Sequence, residues 1–192
     1  MDNYLVFALD EGAKAALDDL GANNFYDPSL HAVDPSATDF GSAGFKSIVH
    51  LKPRLTSRVL ELGYEVMLSD ADCVFFVNPF DREEVTSSPF SIMSDAQHGY
   101  SMGDNTYFVN SGFAFMKPTE PTKLFMREVV RLLESRPDKM DQDAFNTAIA
   151  NWTRRFPRVP LELNIINPNK VTEQIHKSTP APTHSTPIYK NF

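Results

Sequence analysis

Short apolar runs alternate along the chain with amphipathic segments, which is the pattern of a protein that mixes strands and helices. The first run, Tyr4 to Leu9, has the length of a buried strand, and Asp10 directly after it is a favourable helix N-cap. Apolar residues then recur at helical spacing until Gly21, which predicts the end of that helix. A strand followed at once by a helix is typical of a doubly wound sheet.

Helical spacing of apolar residues predicts three more helices, and short apolar runs predict several more strands. The helices cover residues 45–62, 119–135 and a shorter stretch opened by Asp141-Gln142-Asp143. One strand begins at Val66, and the others cover residues 90–93, 107–116 and 159–166. The small residues Asn110, Ser111 and Gly112 interrupt one strand, which predicts a bulge or a close approach of backbone. Residues 96–106 are polar and glycine-containing, and they predict a loop over a site.

We therefore predict an α/β fold in which a mostly parallel sheet is flanked by helices. The 192 residues fit one domain over 1–168, followed by a polar, proline-containing tail at 169–192. A net charge of −7 argues against general nucleic-acid binding, which needs a basic surface. No apolar run approaches the roughly 18 residues of a membrane span, so this chain alone is predicted to be soluble.

Two carboxylates, Asp70 and Asp72, lie between the apolar runs of the segment Val66 to Pro79. If the segment is extended, side chains two residues apart point the same way, and both carboxylates converge on one cation. Two hard oxygen ligands suit Mn²⁺ or Mg²⁺, whose other positions are filled by water and substrate phosphate. The alternative is a pair of solvated aspartates at the end of a strand.

Four cations, Lys46, Lys52, Arg54 and Arg58, lie on the predicted helix that precedes the two carboxylates. A chain that runs along this helix and into the strand brings one of these cations to the same pocket. We select Arg54 for that position. The alternative for the others is a solvated helix surface.

Several motifs occur in a fixed order: Ser-Asp-Ala-Asp at Ser69 to Asp72, Asn78-Pro79, Asn110-Ser111-Gly112-Phe113, and Asp141-Gln142-Asp143. Together they resemble the nucleotide-diphospho-sugar transferase family that includes rhamnogalacturonan xylosyltransferases and extensin arabinosyltransferases. The resemblance implies a GT-A fold and a glycosyltransferase that moves a sugar from a nucleotide diphosphate donor, a UDP-sugar, to a hydroxyl of a glycan or glycoprotein. It also implies metal dependence and retention of the anomeric configuration.

The resemblance also implies a role for each site residue. Asp70 and Asp72 would hold Mn²⁺ or Mg²⁺ against the donor diphosphate, and Arg54 would contact that diphosphate. Asn110, Asp141 and Gln142 would line the pocket for the donor sugar and the acceptor. We expect Asp141 to orient the sugar and Asp143 to serve the helix turn, and we assign no protein nucleophile.

Two departures from the family pattern concern the ends of the chain. The chain begins at the apparent second strand, so we expect the first strand-helix unit to be missing. The family's C-terminal histidine has no clear match, and His176 and His184 are the candidate replacements. A Golgi location is expected if the parent protein carries an N-terminal anchor.

Two other functions compete with this hypothesis. In the first, the chain is a truncated GT-A-like domain that binds nucleotide or metal but catalyses no reaction. In the other it is a phosphatase like the haloacid dehalogenases, with Asp70 as nucleophile and Lys117 as its partner. Release of phosphate that is lost in Asp70→Asn would favour the phosphatase.

Overall fold

The computed structural model describes residues 4–28, 39–95 and 108–166. Its strands are β1 (Val6–Phe7), β2 (Asn24–Phe25), β3 (Val66–Ser69), β4 (Phe90–Ser94), β5 (Val109–Met116) and β6 (Leu163–Ile166). Its α-helices are α1 (Glu11–Asp19), α2 (Ala43–Glu61), α3 (Glu83–Thr86), α4 (Glu120–Ser135) and α5 (Asp141–Arg155), and a 3₁₀ turn covers Pro79–Asp81. The chain is therefore an α/β protein, as predicted.

Hydrogen bonds from the backbone show why the long helices begin where they do. Asp10 Oδ1 accepts from Ala13 N at 2.7 Å at the start of α1, and Thr119 Oγ1 accepts from Thr122 N at 3.3 Å at the start of α4. Gly63 follows α2 with φ 91°, a conformation that favours glycine. The predicted caps and this stop are confirmed.

The described strands form two sheets rather than one mostly parallel sheet. β1 and β2 pair in parallel, and the four-stranded sheet has the order β3-β5-β4-β6. In it β5 runs antiparallel to both neighbours, while β4 and β6 are parallel. The prediction of a mostly parallel sheet is thus not confirmed. It rested on continuous apolar runs, which indicate burial on both faces and carry no information on strand direction.

The four-stranded sheet has an apolar cluster on each face. The larger cluster joins the sheet to α2, α4 and α5 and includes Leu60, Ile92, Phe125 and Phe145. The smaller one contains Val85, Phe113, Phe115 and Ile166. Side chains of β5 enter both clusters, so this strand is the centre of the core. Among the described residues, no helix is long and apolar enough to cross a membrane.

A buried carboxylate joins α4 to the end of α5. Glu128 accepts hydrogen bonds from Arg131 Nε and Nη2, each at 2.7 Å, and lies 2.9 Å from Arg155 Nε. The hydrogen bond from Arg131 and the charges of both arginines hold the pKa of Glu128 below its ordinary value. A carboxyl whose pKa is lowered by folding stabilises the fold above its unfolded-state pKa and loses that effect as the pH falls.

We therefore expect Glu128→Gln to lower the free energy of unfolding by about 1–2 kcal/mol at pH 7. The difference from the wild type should be complete above the ordinary pKa of a glutamate and should shrink as the pH falls below it towards the lowered pKa of Glu128. Urea unfolding at several pH values measures it. A difference that stays constant with pH would show that packing, and not charge, explains the loss.

Candidate functional site

The candidate site begins where β3 ends. Ser69 is the last residue of β3, and the Asp70 N–H donates to the Gly112 carbonyl of β5 at 2.8 Å. The chain then turns, because Cys73 N donates to the Asp70 carbonyl at 3.2 Å. Asp72 lies in this turn and is exposed. The extended geometry predicted for Asp70 and Asp72 is therefore wrong, although the turn keeps both carboxylates at the same end of β3.

A lysine from α2 connects two carboxylates that are far apart in the sequence. Lys52 Nζ lies 2.8 Å from Asp70 Oδ1 and 2.8 Å from Asp141 Oδ2. Burial alone would lower the pKa of the Lys52 ammonium, but the charges and hydrogen bonds of Asp141 and Asp70 outweigh it and raise that pKa. Lys52 is therefore a cation at neutral pH, held at the end of β3.

Asp141 is the most deeply buried acid of this group. It is the first residue of α5, only 4% exposed, and its Oδ2 also accepts from Ser111 Oγ at 3.0 Å. The neighbouring Asp143 behaves differently, since its Oδ2 accepts from Met140 N at 3.2 Å and caps the helix. Asp141 therefore contacts Lys52, whereas Asp143 caps the helix.

The bulge predicted at Asn110, Ser111 and Gly112 is confirmed. Ile92 pairs with Ala114 but the next residue, Met93, pairs with Asn110, so the register of β5 shifts between them. Inside the bulge Asn110 Oδ1 accepts from Gly112 N at 2.7 Å. Ser111 in the bulge contacts Asp141, and the side chains of Asn110 and Asp70 both lie beside Gly112.

Gly112 leaves room for the side chains of Asn110 and Asp70. A Cβ at this residue would lie 2.8 Å from Asn110 Oδ1 and 2.8 Å from Asp70 Oδ2. Both distances are shorter than ordinary contacts. Only glycine therefore fits while the two side chains keep these positions.

If Asp70 is a metal ligand, as proposed below, Gly112→Ala should displace its carboxylate and weaken Mn²⁺ binding at least roughly tenfold, with a loss of about 1–2 kcal/mol in stability. Titration with Mn²⁺ and urea unfolding measure the two effects. Gly12→Ala is the matched control, because its Cβ would meet an aspartate oxygen at 3.1 Å in α1, outside the site. Unchanged Mn²⁺ binding in Gly112→Ala would contradict the role of Asp70.

A second polar group joins α5 to the ends of β4 and β5. Gln142 Nε2 donates to Asp95 Oδ2 at 3.0 Å. Asn146 accepts from Val109 N at 2.9 Å and donates to Val109 O at 3.1 Å, which ties the helix to the start of β5. The backbone N–H of Asp95 donates to the carbonyl of Phe108 at 2.9 Å. Gln142 is thus positioned at the same sheet end as Asn110.

Arg54, the cation selected from the sequence, lies elsewhere. Its Nη2 is 3.6 Å from Glu134 Oε1 of α4, and both side chains are about half exposed. Two residues apart on a helix, Lys52 and Arg54 point in different directions. The informative signal was that Lys52 occupies the helical spacing of Phe45, Leu55 and other apolar residues. A charge on the buried face of a helix needs a partner of opposite charge, and Lys52 has two, the buried Asp141 and the partly exposed Asp70.

Asp70 and Asp72 together provide carboxylate oxygens suited to Mn²⁺ or Mg²⁺. Lys52 engages Asp70 Oδ1, while Oδ2 lies beside Gly112. In the described ranges no group of three or more His, Cys, Asp and Glu side chains is arranged to hold a metal. A Mg²⁺-like ion held by two carboxylates takes its other ligands from water and phosphate. His176 and His184, the candidate additional ligands, lie outside the described residues.

The pair required by the phosphatase hypothesis is not brought together. Ser69, next to Asp70, pairs with Phe113, whereas Val66 at the other end of β3 pairs with Met116. Lys117 follows Met116, and its Nζ lies 5.9 Å from the centroid of the Phe115 ring. The lysine is thus at the opposite end of the strand pair from Asp70.

The chain matches a protein family described as nucleotide-diphospho-sugar transferase over residues 1–189. The proteins it is similar to include three of Arabidopsis thaliana. It is 31% identical to beta-arabinofuranosyltransferase RAY1 over 131 residues, 67% of this chain. It is 30% identical to UDP-D-xylose:L-fucose alpha-1,3-D-xylosyltransferase 3 over 135 residues, 62% of this chain, and 29% identical to arabinosyltransferase RRA2 over 164 residues, 76% of this chain.

The matched regions cover 24%, 35% and 37% of the length of those three relatives. The chain therefore spans well under half of the curated relatives it matches. No solved structure gives a significant match.

Proposed function

The chain belongs to the nucleotide-diphospho-sugar transferase family, and from this premise we propose that it transfers a sugar from a UDP-sugar to a hydroxyl of a glycan or glycoprotein. The proposal includes the GT-A fold that the family implies. The observation that carries it is the Lys52 ammonium, 2.8 Å from both Asp70 and Asp141, beside the turn that contains Asp72. This arrangement supports the proposal, because acids suited to a metal, a cation suited to a diphosphate and groups suited to a sugar hydroxyl lie at one end of the sheet.

The diphosphate is the leaving group of the proposed reaction. Asp70 and Asp72 would hold Mn²⁺ or Mg²⁺, which when bound neutralises charge that builds on the departing nucleotide. Lys52 stays protonated because its two carboxylate partners raise its pKa. We assign the cation that faces the diphosphate to Lys52 in place of Arg54, since Arg54 pairs with Glu134.

The donor sugar would lie against the polar side chains at the start of α5 and in the bulge of β5. Asp141 is held in place by Lys52 and Ser111, so its carboxylate is pre-organised to accept from a sugar hydroxyl. Asn110 and Gln142 provide amide groups at the same end of the sheet. We propose retention of configuration by displacement on one face of the sugar, a reaction that requires no protein nucleophile.

The relatives provide the proposed substrate class. Their names specify arabinose or xylose as the transferred sugar, and one names UDP-D-xylose as donor and L-fucose as acceptor. We therefore propose a pentose donor for this chain. A Golgi location of the parent protein is part of the same proposal, on the condition that it has an N-terminal anchor.

A second candidate is a domain that binds the nucleotide but does not turn it over. The observation that favours it is the short matched region, which covers only 24–37% of the length of each of the three relatives. Such a domain would bind the nucleotide through the same acids and the same lysine.

Calorimetry with UDP and Mn²⁺, followed by an assay with UDP-xylose and methyl fucoside, tests the two candidates. The proposed transferase binds UDP only with metal and releases UDP from UDP-xylose. Binding without turnover favours the second candidate. If a cooperatively folded sample gives no heat of binding, both candidates are contradicted. Release of inorganic phosphate from a phosphomonoester would instead support the phosphatase hypothesis.

A further inference from the structure

A buried histidine on α2 contacts the segment that leads into α5. His50 is 8% exposed, and its Nε2 lies 2.7 Å from the backbone carbonyl of Lys139. A carbonyl only accepts, so Nε2 carries the hydrogen in this contact. The interaction joins residues that are 89 positions apart in the sequence.

The contacted segment is short and ends at Asp141. Lys139 N donates to the carbonyl of Arg136 at 3.0 Å, so residues 136–139 form a turn after α4. Met140 N then donates to Asp143 Oδ2 at 3.2 Å, and Asp141 follows as the first residue of α5. Any movement of the Lys139 carbonyl is therefore transmitted through one residue to Asp141.

The same helix thus holds Asp141 in two ways. Lys52 contacts its carboxylate at 2.8 Å, and His50 contacts the backbone just before it. A salt bridge alone fixes the distance between two groups, but leaves the backbone that carries Asp141 free to shift. The histidine restricts this freedom, because its imidazole is buried and its Nε2–H donates to the Lys139 carbonyl.

We propose that His50 is a positioning residue that sets Asp141 for contact with the donor sugar. Its effect on the sugar rests on the proposed function, whereas its effect on the backbone of residues 136–142 does not. His50 touches no reacting atom. Its loss is predicted to change recognition of the sugar while leaving recognition of the diphosphate, assigned to Lys52 and the Asp70–Asp72 turn, unchanged.

Two variants of the full chain separate positioning from packing. His50→Leu keeps an apolar side chain of similar bulk but cannot donate, while His50→Gln retains an N–H group that can reach a carbonyl. Thr122→Val is the matched control, because Thr122 is also buried and its hydroxyl hydrogen bond lies near the start of α4. Each protein is first checked for cooperative unfolding.

The first measurement is hydrogen exchange of backbone amides. His50→Leu should increase exchange at residues 136–142 relative to the wild type and to Thr122→Val, and His50→Gln should restore much of the protection. Equal protection in wild type and His50→Leu would overturn the proposal. This result does not depend on any catalytic activity.

The second measurement compares the affinities of UDP and UDP-xylose in the presence of Mn²⁺. The ratio of the affinity for UDP-xylose to the affinity for UDP reports the contribution of the sugar. We expect His50→Leu to reduce this ratio roughly tenfold and to leave the affinity for UDP unchanged. A folded His50→Leu protein that keeps the wild-type ratio would overturn the positioning role. If the wild type binds neither ligand, the proposed function fails and hydrogen exchange alone decides whether His50 orders the segment.

Discussion

Replacing Lys52 by Met is expected to abolish measurable binding of UDP with Mn²⁺ and to lower the free energy of unfolding by about 3 kcal/mol. The variant removes the cation from between two carboxylates and leaves Asp141, whose side chain is 6% exposed, buried without its partner. An isolated buried charge costs far more than a surface charge that water stabilises. Calorimetry and urea unfolding measure the two effects.

Two further variants separate charge from function. Lys52→Met combined with Asp141→Asn should recover most of the stability, because no buried carboxylate is left unpaired, but should not recover binding. Arg54→Met should change stability by less than about 1 kcal/mol and leave binding intact, since its pair with Glu134 is exposed. Loss of binding in Arg54→Met with retained binding in Lys52→Met would instead support Arg54, the residue chosen from the sequence.

Asp72→Ala is expected to reduce metal-dependent turnover of UDP-xylose by roughly 10²–10³-fold, the usual effect of removing one group that stabilises charge in a transition state. Because Asp72 is exposed in the turn after β3, its loss should change stability by less than about 0.5 kcal/mol. Initial rates at several Mn²⁺ concentrations and thermal unfolding are the measurements.

The control for this variant is Asp81→Ala, another exposed aspartate of the segment that follows the turn. It should retain wild-type turnover and metal dependence. If Asp72→Ala also retains them, Asp72 is not a metal ligand. If raised Mn²⁺ restores its rate, the lost interaction is metal affinity and not the chemical step.

The features that were predicted correctly depend on residues close together in sequence. The cap at Asp10 and the stop at Gly63 follow from local backbone geometry, and the bulge at Asn110 to Gly112 follows from small polar residues in an apolar strand. In each case a few neighbouring side chains determine the conformation, so the sequence pattern was sufficient.

The features that were missed depend on pairing between distant segments. The reversed direction of β5 is set by which strands it pairs with, and an apolar run is the same in either direction. Ser111 and Asp95 belong to the candidate site because they contact Asp141 and Gln142, which lie in α5. The apolar spacing of α2 already favoured Lys52 over Arg54, but its two carboxylate partners lie in other elements and could not be identified from that spacing.

The position of β5 has a consequence for how the site is lost under stress. The strand is hydrogen-bonded on both sides, to β3 and to β4, and its side chains enter both apolar clusters. Amides in such a strand become accessible to solvent only when the whole core opens. Asn110, Ser111 and Gly112 are carried by this strand, so their arrangement should be lost only in the global transition. Asp70 and Asp72 follow β3, an outer strand of the described sheet, so partial unfolding there should remove them first.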